Sequence, residues 1–127
     1  MVLITGGSRG LGAASARLLA AEGAKLALAA RSAGDMGKLA DQLHAAHGTE
    51  TLIVPVDLTQ PESTEKVVDD VVKTFGGIDV LINSAGASQG GLFWEIPDRV
   101  WAESFDLKVM GAIRMMRAVI PVMLKKR

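Results

Sequence analysis

The residues best suited to chemistry in this chain are crowded near its start. "TGGSRGLG", Thr5 to Gly12, places four glycines and an arginine in eight residues directly after an apolar opening, "MVLI". A strand that ends at Thr5 and a helix that begins near Gly10 make a turn rich in uncovered backbone N–H groups, and the helix dipole adds partial positive charge. That is an anion site, and phosphate is its natural ligand. Gly6 allows the tight turn, Gly10 lets a diphosphate approach the backbone, and Gly12 lets the helix pack closely on the sheet. Their spacing, Gly-x3-Gly-x-Gly, differs from the Gly-x-Gly-x2-Gly dinucleotide fingerprint. It also differs from the triphosphate loop, which needs a lysine this turn lacks. Glycines alone also fit a merely tight turn; the strand and helix around them favour a ligand.

The elements that must hold this turn follow from periodicity. Near-continuous apolar runs at "MVLIT" (Met1 to Thr5), "KLALAA" (Lys25 to Ala30), "TLIVPVD" (Thr51 to Asp57) and "IDVLINS" (Ile78 to Ser84) read as strands buried on both faces. Between them lie helical segments 10–22, 35–47 and 61–75, closed by Gly23, Gly48 and Gly76 as left-handed caps. "TQPE", Thr59 to Glu62, predicts a capping box for the third helix. The βαβαβαβ string implies an α/β fold: a doubly wound parallel sheet of about four strands, order 3-2-1-4, with helices on both faces. Pro55 supports that order, because proline suits an edge strand. From Pro97 to Leu124 a long helical stretch carries Phe105, Val109, Ile113, Met116, Ile120 and Met123 on one face, and Pro121 is expected to kink it or end its regular part.

Composition excludes several classes of function. Over 127 residues, 14 lysines and arginines balance 14 aspartates and glutamates, so no field steers nucleic acid or an anionic membrane to the chain. The absence of cysteine removes disulfides, thiol nucleophiles and thiolate-bound metals. No stretch approaches the roughly 20 apolar residues of a membrane span. A soluble cytoplasmic protein is expected, with no nucleic-acid or membrane partner. His44 and His47, three apart on a helix, lack a third metal ligand and read as exposed surface.

Taken with "VDLT" (Val56 to Thr59) and "NSAG" (Asn83 to Gly86), "TGGSRGLG" resembles the short-chain dehydrogenase/reductase family, in the right order along nearly the whole chain. The resemblance implies a partial Rossmann-like fold and hydride transfer between a nicotinamide cofactor and a small-molecule carbonyl or alcohol. It gives Gly6, Ser8, Arg9, Gly10, Leu11 and Gly12 to the diphosphate, Asp57 with Leu58 to adenine, Asn83 to tying the central strands, and Ala85 and Gly86 to the cofactor ribose. Local readings stand beside these: Asp57 helping to cap the next helix, and Asn83 closing a strand. Ser84 departs from the family's usual second asparagine. Cofactor choice follows from charge. About 20 residues past the glycine turn, where an acidic residue would bind a ribose 2′-hydroxyl, stands Arg31. With Arg9 it suits a 2′-phosphate, so NADP(H) is expected over NAD(H).

The family's catalytic tyrosine and lysine have no counterpart, and the chain contains no tyrosine at all. The resemblance covers about the N-terminal half of a family domain, so residues 1–127 are expected to form a single truncated dinucleotide-binding domain, inactive alone. Lys108, in "KVMG", stands where the family has a helix asparagine; it is either a substituted relay residue or a solvated lysine. Ser88 and Gln89 match positions lining the substrate cleft; Phe93 and Trp94 offer contacts to an apolar substrate, with packing the expected role. The fourth strand's open edge and the apolar stripe of helix 97–124 predict homo-oligomerisation. The alternative function is a non-catalytic nucleotide-binding or interaction module derived from the same family.

Overall fold

The computed structural model describes residues 1–87 and 89–126. Its centre is a parallel sheet in the order β3-β2-β1-β4, formed by β1 (Val2–Thr5), β2 (Leu26–Ala30), β3 (Thr51–Pro55) and β4 (Val80–Asn83). Leu3 pairs with Ala27 on one side and Leu81 on the other, and Ala30 pairs with Pro55 at the outer edge. Pro55 therefore ends an edge strand, as its missing N–H requires.

Alternation along the strands divides the core into two layers. Val2, Ile4, Leu26 and Leu28 meet helices α1 (Gly10–Ala21) and α2 (Ala33–His47) through Ala16, Ala20, Met36, Leu39 and Leu43. Leu3, Ala27, Ala29 and Val54 face the other way, onto α3 (Ser63–Phe75) and α5 (Gly111–Lys125) through Val67, Val71, Met115 and Val119. Leucine and isoleucine of β1 and β2 oppose the alanine-rich α1, and the alanines of β2 oppose the bulkier residues of α3 and α5. Each buried leucine or isoleucine contributes roughly 1.5–3 kcal/mol of apolar burial. Gly48 and Gly76 cap their helices at φ 65° and 79°, with N–H bonds to His44 and Val72 carbonyls at 2.8 Å.

Two expectations fail locally. α3 begins at Ser63 rather than Pro61, and no capping box forms. The Thr59 N–H and hydroxyl both donate to Asp57 Oδ1, at 3.0 and 2.7 Å, so Thr59 is engaged with Asp57 instead of Glu62. The long helix is also not uniform. α4 (Asp98–Phe105) passes into a π-helical turn, Asp106–Met110, before α5, and α5 continues through Pro121 to Lys125. Pro121 is tolerated because it and Arg117, whose carbonyl loses its partner, are both exposed to water. The wide turn is spanned by an Arg114–Asp106 ion pair at 2.9 Å. α5 turns Gly111, Met115 and Val119 into the core, while Phe105, Val109 and Ile120 stay 59%, 45% and 49% exposed. The apolar stripe read from the sequence is thus largely an outward face.

Candidate functional site

The chain runs β1, β2, β3 outward to one side and then crosses to β4 on the other, so the order reverses between β1 and β4. Ligands of open α/β sheets bind in the crevice outside the carboxyl ends of the strands at such a point. Here that crevice is bounded by the turn after Thr5 and by Ser84 to Gly86. Thr5 joins its two sides: its hydroxyl oxygen accepts from the Ser84 and Ala85 N–H groups at 3.2 and 3.3 Å. The exposed Asn83 side chain makes no hydrogen bond among the described residues. Thr5 is therefore a positioning residue that the sequence reading passed over, although it opens the glycine motif.

The glycines have separate steric tasks. A Cβ on Gly6, at φ 65°, would stand 2.5 Å from the Ser84 carbonyl oxygen and 2.7 Å from Ala85 Cα, so glycine alone lets the two strand ends meet. A Cβ on Gly12 would stand 2.2 Å from the Gly6 carbonyl oxygen, which means the close approach is between α1 and the turn itself. Gly10, at φ 53°, has no atom within 4 Å of that position. The residue preceding α1, Arg9, is extended and makes no side-chain cap, and the first turn holds no acidic residue. By contrast the Ser32 hydroxyl caps α2, accepting from the Asp35 N–H at 3.2 Å. The first amides of α1 thus border open space beside Gly10, an arrangement that fits a diphosphate.

The other predicted residues are placed unequally. Leu11, 82% exposed, lies on the first turn of α1, and Ser8 is half-buried beside it. Arg9 extends towards α2, where Nε and Nη2 both donate to Asp35 Oδ2 at 3.0 and 2.7 Å. Arg31 is exposed just beyond β2, and among the described residues it forms no ion pair. Asp57 forms the Thr59 turn; hydrogen bonds from the Thr59 amide and then its hydroxyl, helped by the charge of Arg31, hold its carboxyl below the usual aspartate value. The Thr59 turn thus occupies one oxygen of Asp57, and its carboxylate caps no helix, since α3 starts only at Ser63 without a side-chain cap. Leu58 is 4% exposed in the α3/α5 core layer, which leaves its backbone, not its side chain, for a ligand.

On the β4 side, a Cβ on Gly86 would touch Lys108 Cε at 3.4 Å and Cγ at 3.7 Å. Lys108, although exposed and on the π-helical turn, is therefore laid across the end of β4 at the crevice. Phe93 and Trp94 correct the packing expectation: they are 73% and 78% exposed, Phe93 meeting Trp101 edge to face at 5.2 Å. Gln89 is exposed, and Ser88 lies outside the described residues. His44 and His47 are exposed, and the described residues contain no cluster of three or more metal-ligating side chains. No described helix is long and apolar enough to cross a membrane.

A parallel sheet in this order, with a glycine turn at its switch point, defines the Rossmann-like NAD(P)-binding class of α/β proteins. Comparison with known proteins narrows the class: the family model for short chain dehydrogenase matches residues 1–127. The chain belongs to the short-chain dehydrogenase/reductase family. It is 34% identical over 127 residues to the 3-oxoacyl-(acyl-carrier-protein) reductase of Vibrio cholerae, covering all of this chain and 50% of that protein. Among solved structures, L-sorbose reductase from Gluconobacter frateurii, complexed with NADPH and L-sorbose, superposes with TM-score 0.90 at 36% identity, covering 98% of this chain and 48% of that one. A short-chain dehydrogenase/reductase from Burkholderia phymatum in complex with NAD gives TM-score 0.90 at 34% identity, covering 98% and 44%. The chain thus spans about half the length of these relatives, of which the sorbose reductase is complexed with NADPH and the Burkholderia phymatum protein with NAD.

Proposed function

We propose that this chain is the cofactor-binding half of an oxidoreductase that uses NADP(H) in preference to NAD(H) and acts on a small carbonyl or alcohol. The observation that carries the reading is the uncapped start of α1 beside the open space at Gly10, with Gly6 and Gly12 closed by backbone. In this reading Gly6, Ser8, Gly10, Leu11 and Gly12 line the diphosphate, whose charge is met by the helix amides. Arg9 and Arg31 meet the 2′-phosphate. Asp57 and the Leu58 backbone border the adenine, Asn83 closes β4 between the central strands, and Ala85 and Gly86 border the ribose on the β4 side. The nicotinamide would supply or accept a hydride there. Lys108, lying over Gly86, borders the same end of the crevice with a cationic side chain. The outward face of α4 and α5, or the free edge of β4, would join the chain to a second copy.

A second reading is a nucleotide-binding or interaction module without turnover; within these 127 residues no tyrosine is present to act as general acid. Removal of a positioned general acid typically costs about 10²- to 10⁴-fold in rate, so the chain alone is expected to be inactive. Titrating NADPH and NADH into the purified chain tests the binding site: tighter NADPH binding is expected, and equal affinity refutes the arginine argument. Following NADPH absorbance with a panel of ketones and aldehydes separates the two readings, and turnover by these 127 residues would refute the inactive assignment.

A further inference from the structure

The arginine of the glycine turn carries a feature that its sequence position does not reveal. Arg9 directs two of its five N–H donors to a single oxygen of Asp35, leaving three for anything else in reach. The pair spans α1 and α2, with the Arg9 side chain 81% exposed and that of Asp35 31% exposed. Around it runs a shallow groove between the two helices whose lining includes Arg17, Lys38 and Gln42. Arg17 Nη2 donates to the neutral Gln42 Oε1 at 2.8 Å, so Asp35 is the one carboxylate in that otherwise cationic lining. Hydrogen bonds from Arg9 and Ser32 hold its carboxyl below the ordinary value of 3.8.

We propose that Asp35 is a specificity-determining residue: by holding the Arg9 guanidinium it withdraws one charge from the group that would meet a 2′-phosphate, and so limits the preference for NADP(H) over NAD(H). This rests on reading the crevice as a dinucleotide site. A 2′-phosphate must either displace the Asp35 carboxylate from Arg9 or share the guanidinium with it, and both arrangements keep two anions close together. A neutral 2′-hydroxyl meets no such penalty. Because the Arg9–Asp35 pair is exposed, it is weak enough to yield to a ligand, so the effect is a moderate tuning of affinity, not a block. Arg31, which forms no ion pair among the described residues, keeps its donors uncommitted and supplies the baseline preference.

Calorimetric titration of the full chain with NADPH and with NADH, in the parent, Asp35→Asn, Arg9→Gln and the double variant, tests the proposal. Asp35→Asn is expected to tighten NADPH roughly three- to ten-fold and to change NADH less than about two-fold. The gain should be smaller when Arg9 is already glutamine. Thermal unfolding of each variant checks the α2 start, and Asp35→Ser, which suits a first helical turn, repeats the measurement if Asp35→Asn fails to fold. An unchanged NADPH-to-NADH affinity ratio, or a selective loss of NADPH affinity, overturns the role of Asp35 while the dinucleotide reading stands. Failure of the parent to bind either nucleotide overturns both.

Discussion

Replacing Gly12 by alanine should destabilise the fold far more than replacing Gly10, although the two lie in one turn. A Cβ on Gly12 would meet the Gly6 carbonyl oxygen at 2.2 Å and its carbon at 2.8 Å. Gly6 is itself anchored, its N–H bonded to the Ala29 carbonyl at 2.8 Å. Comfortable contact begins near about 3.5 Å, so the first turn of α1 must retreat by roughly 1 Å from a backbone that β2 holds in place. Overpacking of this kind costs typically about 1–3 kcal/mol, and a clash with backbone belongs at the upper end. A loss of about 3 kcal/mol lowers the melting temperature of a chain this size by roughly 10–15 °C. Gly10→Ala meets no atom within 4 Å and incurs only the strain of φ 53°. That strain is about 1–2 kcal/mol, or roughly 3–8 °C. Its methyl group would instead occupy the space beside the α1 amides, so NADPH affinity should fall by about tenfold or more, the equivalent of one charge-assisted hydrogen bond. Urea and thermal unfolding of both variants, paired with NADPH titration, read out the two effects separately. A Gly12→Ala chain within about 0.5 kcal/mol of the parent, or a Gly10→Ala chain that is the less stable of the two, refutes the steric assignment.

Arg31→Gln should weaken NADPH by about 10- to 100-fold and leave NADH nearly unchanged; equal losses for both nucleotides would place Arg31 elsewhere than at the 2′-phosphate. Asp79 binds Lys126 and the Met1 amino group, and those hydrogen bonds lower its pKa from 3.8 to about 2. Because the unfolded chain then binds more protons between these values, the Asp79 contribution is present above about pH 4 and is lost as the pH falls towards 2. Urea midpoints measured across that interval should fall less steeply for Asp79→Asn than for the parent, and identical slopes would contradict the assignment. Glutamate at Val109 and Ile120 together, on the outward face of the α4–α5 stretch, should shift sedimentation towards monomer. An unchanged profile in a self-associating parent would direct attention to the β4 edge instead.

The fold was legible where local pattern and burial agree. β1 and β2 are flanked on both sides by other strands and covered on both faces, so their runs of Val, Leu, Ile and Ala could serve no other element of that length. The glycines at 23, 48 and 76 marked helix ends correctly because each adopts the positive φ, between 65° and 79°, that favours glycine. The start of α3 was misread for an equally local reason. Thr59 has two partners within reach, Asp57 behind it and Glu62 ahead, and a capping box considers only the second. The π-helical turn at Asp106–Met110 left no trace in spacing, because one additional residue in a turn changes the hydrophobic period too little to separate from ordinary scatter. Its consequence is large: the helix presents Met115 and Val119 to the core and leaves Val109 and Ile120 outside.

Site residues divided along the same line. Gly12 closes on the Gly6 carbonyl rather than on the sheet, but the glycine-favouring φ of Gly6 and Gly10, set within a few residues, was readable from spacing. Roles that depend on partners far along the chain were not. Asp35 meets Arg9 across 26 positions, and Thr5 reaches the Ala85 amide across 80, so nothing adjacent in sequence announces either contact. The distinction has a physical consequence for the crevice. Gly6 and Gly12 are closed in by backbone that leaves no room for a Cβ, whereas the charged groups beside the turn are side chains on separate elements. In the proposed reading the diphosphate end would be fixed by the steric demands at Gly6 and Gly12, and selectivity at the 2′ position would rest on Arg31 and on the exposed Arg9–Asp35 pair, whose balance a single change of charge would retune.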